Sequence, residues 1–238
     1  YLVVGHKFTG AYLDPNAIQE YVDSVRVITV STSGNQLVLN RTGSFTDNFA
    51  GATTYHLHDS LTQFRRRDLV IAPAVQPHGT DIGISVYGGV FHYTPGSPSS
   101  NNGNPFINPI YINPLLSPKF RIDSAQQYTN IYSAAFLAMY DTTSKTMMTS
   151  LFGGLGNSKD SLSDANWTNL IITNHRCYKD NKDTTKIVTN GVNLPALMGA
   201  ESVFIPAEGI PYYNSNYRII DYGKLGNRQL VGYIYVGI

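Results

Sequence analysis

A chain of 238 residues with 17 basic and 16 acidic side chains carries a net charge of +1, which excludes a polycation built to hold nucleic-acid phosphates. Hydrophobic residues at 42% and aromatics at 12%, against only 14% charged, exclude intrinsic disorder. The single cysteine, Cys177, excludes an intrachain disulfide framework and any cysteine-rich zinc site.

The opening run Tyr1-Leu2-Val3-Val4-Gly5 is strand-like and has no basic leader pattern. No apolar stretch approaches the roughly 18 to 20 residues that a membrane helix needs, so no transmembrane segment is expected. Residues 14–22 carry the chain's best helical signal, with Asp14 as N-cap and Pro15 at the first helical position. Elsewhere the pattern is β-branched and aromatic, in runs at 25–30, 36–40, 68–72, 82–93, 134–140, 147–151, 170–173, 202–205, 218–222 and 230–236. Gly, Pro, Asn and Asp punctuate these runs, and the spacing predicts an all-β chain. Residues 94–104, rich in Pro, Gly, Ser and Asn, read as a long exposed loop inside one domain that spans the chain.

The chain repeats itself. Phe136-Leu137-Ala138-Met139-Tyr140-Asp141, followed by Met147 to Gly154, matches Arg218-Ile219-Ile220-Asp221-Tyr222-Gly223, followed by Leu230 to Gly237. A third copy runs from Phe64 to Ala72 and then from Ile84 to Gly89, and Leu2 to His6 reads as a fourth, entered midway. Each copy predicts a strand, a polar turn, and a second strand ending in an aromatic and small residues. Lys119-Phe120 precedes Tyr128 as Val203-Phe204 precedes Tyr212. The diglycines Gly88-Gly89 and Gly153-Gly154 stand 65 residues apart, too long a period for ankyrin or leucine-rich repeats. A glycine pair at a fixed place predicts a seam where neighbouring units approach too closely for a Cβ.

The strand ends Tyr87-Gly88-Gly89 and Phe152-Gly153-Gly154, each preceded by a hairpin pattern, resemble the kelch-type β-propeller. The fuller pattern of Phe64 to Asp68, Ser85 to Phe91 and Met148 to Gly154 is similar to kelch-like proteins exported by Bacteroidetes bacteria, a group that resembles type IX secretion cargo. The resemblance implies a secreted or cell-surface propeller of four-stranded antiparallel blades, at about 1–61, 62–130, 131–215 and, incomplete, 216–238. The terminal copies, Val4-Gly5-His6 and Val236-Gly237-Ile238, keep one glycine each. Both end strands read as the same strand type, so a partial propeller, a segment of a longer chain, is the expectation.

Asp-(Ser/Thr) tripeptides at Ser24, Ser60, Ser124, Thr142, Ser161 and Thr184 resemble the O-glycosylation motif of exported Bacteroidetes proteins; the same dipeptides are also ordinary turn formers. Asn40-Arg41-Thr42 and Asn166-Trp167-Thr168 are N-glycosylation sequons by pattern.

Candidate ligand contacts start with Arg65-Arg66-Arg67-Asp68, read as opening an innermost strand. Alternation would send Arg65 and Arg67 to one face and Arg66 and Asp68 to the other. That makes either a cationic fork for a carboxylate, sulfate or acidic sugar, or a set of ion pairs closing the ring. Tyr87 and His92 complete the ligand set, and Tyr93, Tyr111, Tyr128, Tyr132, Tyr212, Tyr213 and Tyr217 offer rigid area for stacking on sugars or gripping a protein. His56-Leu57-His58 has the spacing to start a metal site, but no third ligand is placed by the sequence, so no metal and no cofactor is expected. Asp180-Asn181-Lys182-Asp183 lacks the glycine and glutamate of a calcium loop. These features lead to a non-catalytic binder of a glycan or protein partner, with no nucleic acid involved. An extracellular carbohydrate-active or oxidase enzyme, and a structural module of a larger surface assembly, are the alternatives.

Overall fold

The computed structural model describes residues 2–3, 6–11, 14, 16–21, 24–45, 63–64, 66–76, 81–90, 105–113, 115, 117–127, 129, 131–155, 167–179, 182–197 and 201–236. The protein is all-β: among the described residues the only helical element is the single 3-10 turn Tyr222–Lys224. Two compact units form, one from Tyr1–Arg67 with Val90–Asn104, the other from Asp68–Gly89 with Pro105–Ile238.

In the first unit β1 (Leu2–Val3), β4 (Val25–Ser33) and β5 (Gln36–Phe45) make one antiparallel sheet, and β2 (His6–Thr9) pairs with β3 (Ile18–Tyr21). The predicted helix at 14–22 is corrected to a turn and a strand. Asp14 accepts the Asn16 N–H on Oδ1 at 2.8 Å and the Ala17 N–H on its carbonyl at 3.0 Å, after which Ile18–Tyr21 runs along His6–Thr9. A short acceptor side chain that caps a helix closes an Asx turn equally well, and the β2 ladder decides between them.

The second unit holds two larger sheets. One runs in chain order, β6 (Arg67–Val75), β7 (Ile82–Val90), β8 (Ile110–Ile112) and β9 (Phe120–Ile122). The other begins the same way, with β10 (Ala135–Asp141), β11 (Thr146–Leu155), β12 (Trp167–Lys179) and β13 (Lys182–Asn193) as successive neighbours. It has six strands, because β16 (Ile219–Asp221) joins the β10 edge and β15 (Tyr212–Asn214) follows it. β14 (Val203–Pro206) pairs with β17 (Gly232–Tyr235) as a separate ribbon.

The 218–237 repeat therefore does not close the hairpin that its sequence predicts. β16 lies parallel to β10, with Met139 opposite Ile220, and Ile219 and Ile220 are fully buried. The 3-10 turn, with Lys224 paired to Asp221 at 2.9 Å, follows β16, and the chain then delivers β17 to β14 instead.

The two larger sheets bury a shared core in which Val70, Ala72 and Tyr87 meet Leu151, Ile172 and Ile187. The opposite side of the second sheet carries Phe152, stacked on Phe204 at 6.3 Å. Gly88 lies where the repeat predicts close packing on the next repeat, whereas a Cβ on Gly154 would meet Tyr132 and Ala134 of its own repeat, at 3.3 to 3.6 Å. Gly88 and Gly89 have φ of +58° and +91°, Gly153 and Gly154 of +68° and +111°, all in the region that glycine alone enters at little cost. A methyl group on Gly88 would overlap the carbonyl oxygen of Ile131, which precedes β10, and that same carbonyl accepts the Gly89 N–H at 3.3 Å.

Candidate functional site

A cavity of about 380 Å³ opens among the beginnings of three strands. Leu69, Val70 and Ile71 of β6 and the segment from Ser133 to Ala138 at β10 form part of its lining, with Ser202, Val203, Phe204 and Pro206 at β14. Tyr217 and Arg218, just before β16, complete it. The strands start abruptly. Ser133 and Arg218 hold φ of +43° and +53°, and Asp68, next to Leu69, holds +55°. Non-glycine residues seldom take this conformation, and its recurrence at three strand starts around one cavity is the sort of local strain that accompanies binding sites.

The lining is mostly apolar, and its polar groups are few. The Ser202 hydroxyl accepts the Ala135 N–H at 3.1 Å, which ties the β14 segment to the start of β10. Among the described residues Arg218 is the single charged one in the lining, exposed beside Tyr217, itself exposed. An apolar floor with the rings of Phe136, Phe204 and Tyr217 and one guanidinium suits a ligand with an apolar face and an anionic group.

The sequence-predicted contacts are not gathered here. Arg66 is buried at 1% exposure, and its guanidinium donates to the Gln63 carbonyl at 2.7 Å and to Gln63 Oε1 at 3.0 Å. These bonds hold its own turn together. β6 starts at Arg67 and Asp68 is left-handed, so strict alternation does not carry from Asp68 back to Arg66. Arg67 and Asp68 are half-buried. Tyr87 is also corrected from surface contact to core. It is 2% exposed, and burial raises its phenol pKa, against the smaller opposing pull of the Thr149 and Ser85 hydroxyls. Arg65, His92, His56, His58, Tyr93 and Tyr128 lie outside the described residues.

A second polar constellation sits in the seam between the two larger sheets. Tyr111 on β8 lies under the Arg176 guanidinium, 3.9 Å from the ring centre, with Arg121 at 5.2 Å. Arg176 grips Asp183 with contacts from 2.7 to 3.2 Å and reaches Gln76 Oε1 at 3.2 Å. Arg121 bridges Asp123 at 2.8 Å and Asp183 at 3.3 Å, and the Thr185 hydroxyl donates to Asp123. The Tyr111 hydroxyl accepts from Asn174 Nδ2 at 3.1 Å. Burial, with Tyr87 next in effect, pushes the Tyr111 phenol far above its ordinary range. With its charges paired and Tyr111, Asp123 and Arg176 buried, this network fixes one sheet on the other.

Of the Asp-(Ser/Thr) positions, Ser124, Thr142 and Thr184 are exposed and Ser24 is half-buried; Ser60 and Ser161 lie outside the described residues. The Asp123 carboxylate accepts the Ala125 N–H at 2.9 Å, and Asp141 accepts the Thr143 N–H at 2.9 Å and the Ser144 hydroxyl at 2.8 Å. Both are turn-forming uses of the side chain. The Ser144 and Thr143 contacts hold the Asp141 carboxyl below its usual range. Cys177 is half-buried, with its thiol 3.6 Å from the Ser144 carbonyl. Its strand neighbour on the same face, His175, has its pKa lowered by burial and by Lys186. Among the described residues no group of three His, Cys, Asp or Glu side chains could hold a metal ion, and no helix is long and apolar enough to cross a membrane.

Tyr217 was legible as one of many loop tyrosines, but Arg218, Ser133 and Ser202 carry no motif. Only Ser133 had a signal, in the repeat: Ser133 and Asp68 each stand 20 residues before the first glycine of a pair. Comparison with protein-family models, with curated proteins and with solved structures finds no match to this chain.

Proposed function

We propose that the chain is a non-catalytic binding module which takes an acidic glycan, or the equivalent group of a protein partner, in the cavity at the starts of β6, β10 and β16. The observation that carries this reading is the lining itself: an apolar floor, Tyr217 for stacking, and Arg218 as the one charge among the described residues. A sugar ring offers an apolar face to an aromatic ring, and a uronate or sulfate offers oxygens to a guanidinium. Among the described residues the lining contains no carboxylate and no imidazole, the groups that general acid–base chemistry on a glycan would draw on.

The module is further proposed to be kelch-like, with its sheets as blades of a propeller or a segment of one, and to work in secretion or at the cell surface. Supporting this are two consecutive four-strand runs in chain order, a glycine pair at the seam between them, and the parallel approach of β10 and β16, two strands that open successive repeats.

Isothermal titration against uronate-containing, sulfated and neutral oligosaccharides tests the binding reading. Acidic oligosaccharides are expected to bind, with affinity falling at least roughly tenfold in Arg218→Ala and in Tyr217→Ala. Binding that neither substitution alters, or no binding of any acidic sugar, would overturn it.

A further inference from the structure

One face of the six-stranded sheet sets a thiol, an imidazole and two thioethers side by side. Strand alternation puts His175 and Cys177 of β12 on the same face, and the register carries that face across the neighbouring strands. Met148 of β11 stands directly opposite His175, and Met139 of β10 directly opposite Met148. Lys186 of β13 lies on the other side of His175, and Thr146 and Thr184 flank Cys177 in the next row. Side chains directly across an antiparallel pair have Cβ atoms about 5 Å apart, so neighbours in a row can share one small ion. His175 and Cys177 alone make two ligands; a thioether supplies the third.

The donor types narrow the ion. Thiolate and thioether sulfur with an imidazole nitrogen favour copper(I) over hard cations. The carboxylate in these two rows, Asp141, is taken up by the Thr143 N–H and the Ser144 hydroxyl. Access is open, because a concavity of about 350 Å³ lies against His175 and Cys177, with Thr146, Thr184 and Lys186 on its walls. Cys177 is held only by a long contact, 3.6 Å from its thiol to the Ser144 carbonyl. Next to the imidazole in its row, Met148 is buried and Met139 half-buried, and an unbranched thioether can swing to meet an ion. Charge narrows the valence. A monovalent ion that replaces the thiol proton leaves the local charge unchanged, whereas a divalent one adds a positive charge near the Lys186 ammonium.

We propose that Cys177, His175 and Met148, with Met139 next in the row, form a site for a soft monovalent metal ion, copper(I). Binding exchanges the thiol proton, which leaves to solvent, for a sulfur–metal bond. The imidazole nitrogen and the Met148 sulfur each donate a lone pair, and nothing is oxidised or reduced. None of the four residues lines the cavity at the strand starts, so this site stands independently of the glycan reading.

Anaerobic competition with bathocuproine disulfonate, an absorbing chelator of copper(I), tests it, with circular dichroism confirming that each variant folds. The wild-type chain is expected to withdraw one equivalent of copper(I) from the chelator. Cys177→Ser should weaken binding at least roughly 100-fold, and His175→Gln and Met148→Leu each at least roughly 10-fold. Met148→Leu is the decisive variant, because leucine keeps the apolar volume and a methionine that merely packs would leave copper affinity unchanged. If His175→Gln unfolds the chain, X-ray absorption at the copper edge of the wild-type complex takes its place, with sulfur and nitrogen neighbours expected. No withdrawal of copper(I), affinity that survives Met148→Leu and His175→Gln, a copper edge without nitrogen, or zinc(II) bound as tightly as copper(I) would each overturn the proposal. Surviving affinity would mean that the thiol alone takes the ion.

Discussion

The backbone N–H of Ser133 donates to the carbonyl of Asp68 at 2.9 Å, and both residues are left-handed, with φ of +43° and +55°. Each stands 20 residues before the first glycine of a pair. The bond therefore joins equivalent points of successive repeats, at the edge of the cavity. Strain at one strand start is held in place by a hydrogen bond from the next.

Ser133 gives a direct test of that strain. Glycine enters the left-handed region freely, so Ser133→Gly should change stability by less than about 1 kcal/mol. Valine is β-branched and resists that conformation, so Ser133→Val should cost about 2 kcal/mol or more. Urea unfolding of the two variants checks the order, and equal effects would argue against a strained start.

In the seam between the larger sheets, Arg176 is nearly enclosed and Asp183 mostly so. Removing Arg176 leaves the mostly buried Asp183 carboxylate with only the longer, 3.3 Å contact to the more exposed Arg121. Arg176→Met should therefore destabilise by about 3–5 kcal/mol, and adding Asp183→Asn to it should restore part of the loss. A double-mutant cycle in urea measures the coupling. Additive losses would mean that the pair does not act as a unit.

Stability should also fall at both ends of the pH scale. His175 has its folded pKa depressed below 6.5, so the unfolded chain takes up a proton there first. Its contribution is complete above pH 6.5 and is lost as the pH falls through and below that value. Tyr87 has its folded pKa raised above 10.0, so its contribution is complete below pH 10 and is lost as the pH rises beyond it. Unfolding titrations should show His175→Gln flattening the acid limb and Tyr87→Phe the alkaline limb, each leaving the other limb unchanged.

The all-β class could be read from the sequence because strand signals are local. Each of the ten strand-like runs overlaps an observed strand. Those overlooked were too short to show a period, such as Ile110–Ile112, or too polar, such as Lys182–Asn193, which pairs along β12 through its backbone. The seam at Gly88 was legible because a Cβ there would overlap the Ile131 carbonyl, while the pair at 153–154 answers to its left-handed backbone. The cavity was not, because it collects residues from 69 to 218 through the non-local pairing of β16 on β10. Ser133 and Arg218 are neither Gly nor Asn, so nothing in their identity announces a left-handed backbone. Arg66 misled for a related reason: a basic run looks like a surface until its turn is known to fold the guanidinium back onto Gln63.

The glycine seam is the claim on which the account turns, and one comparison isolates it. Gly88 and Gly209 share a left-handed backbone, at φ of +58° and +74°, but a methyl group on Gly209 meets nothing within 4 Å while one on Gly88 overlaps the Ile131 carbonyl. The measurement is the urea unfolding free energy of Gly88→Ala against that of Gly209→Ala. Backbone strain alone should cost both variants about 1–2 kcal/mol, and overlap at the seam should cost Gly88→Ala at least about 2 kcal/mol more. Equal losses in the two variants would contradict the account, because they would mean that successive sheets do not meet at that glycine.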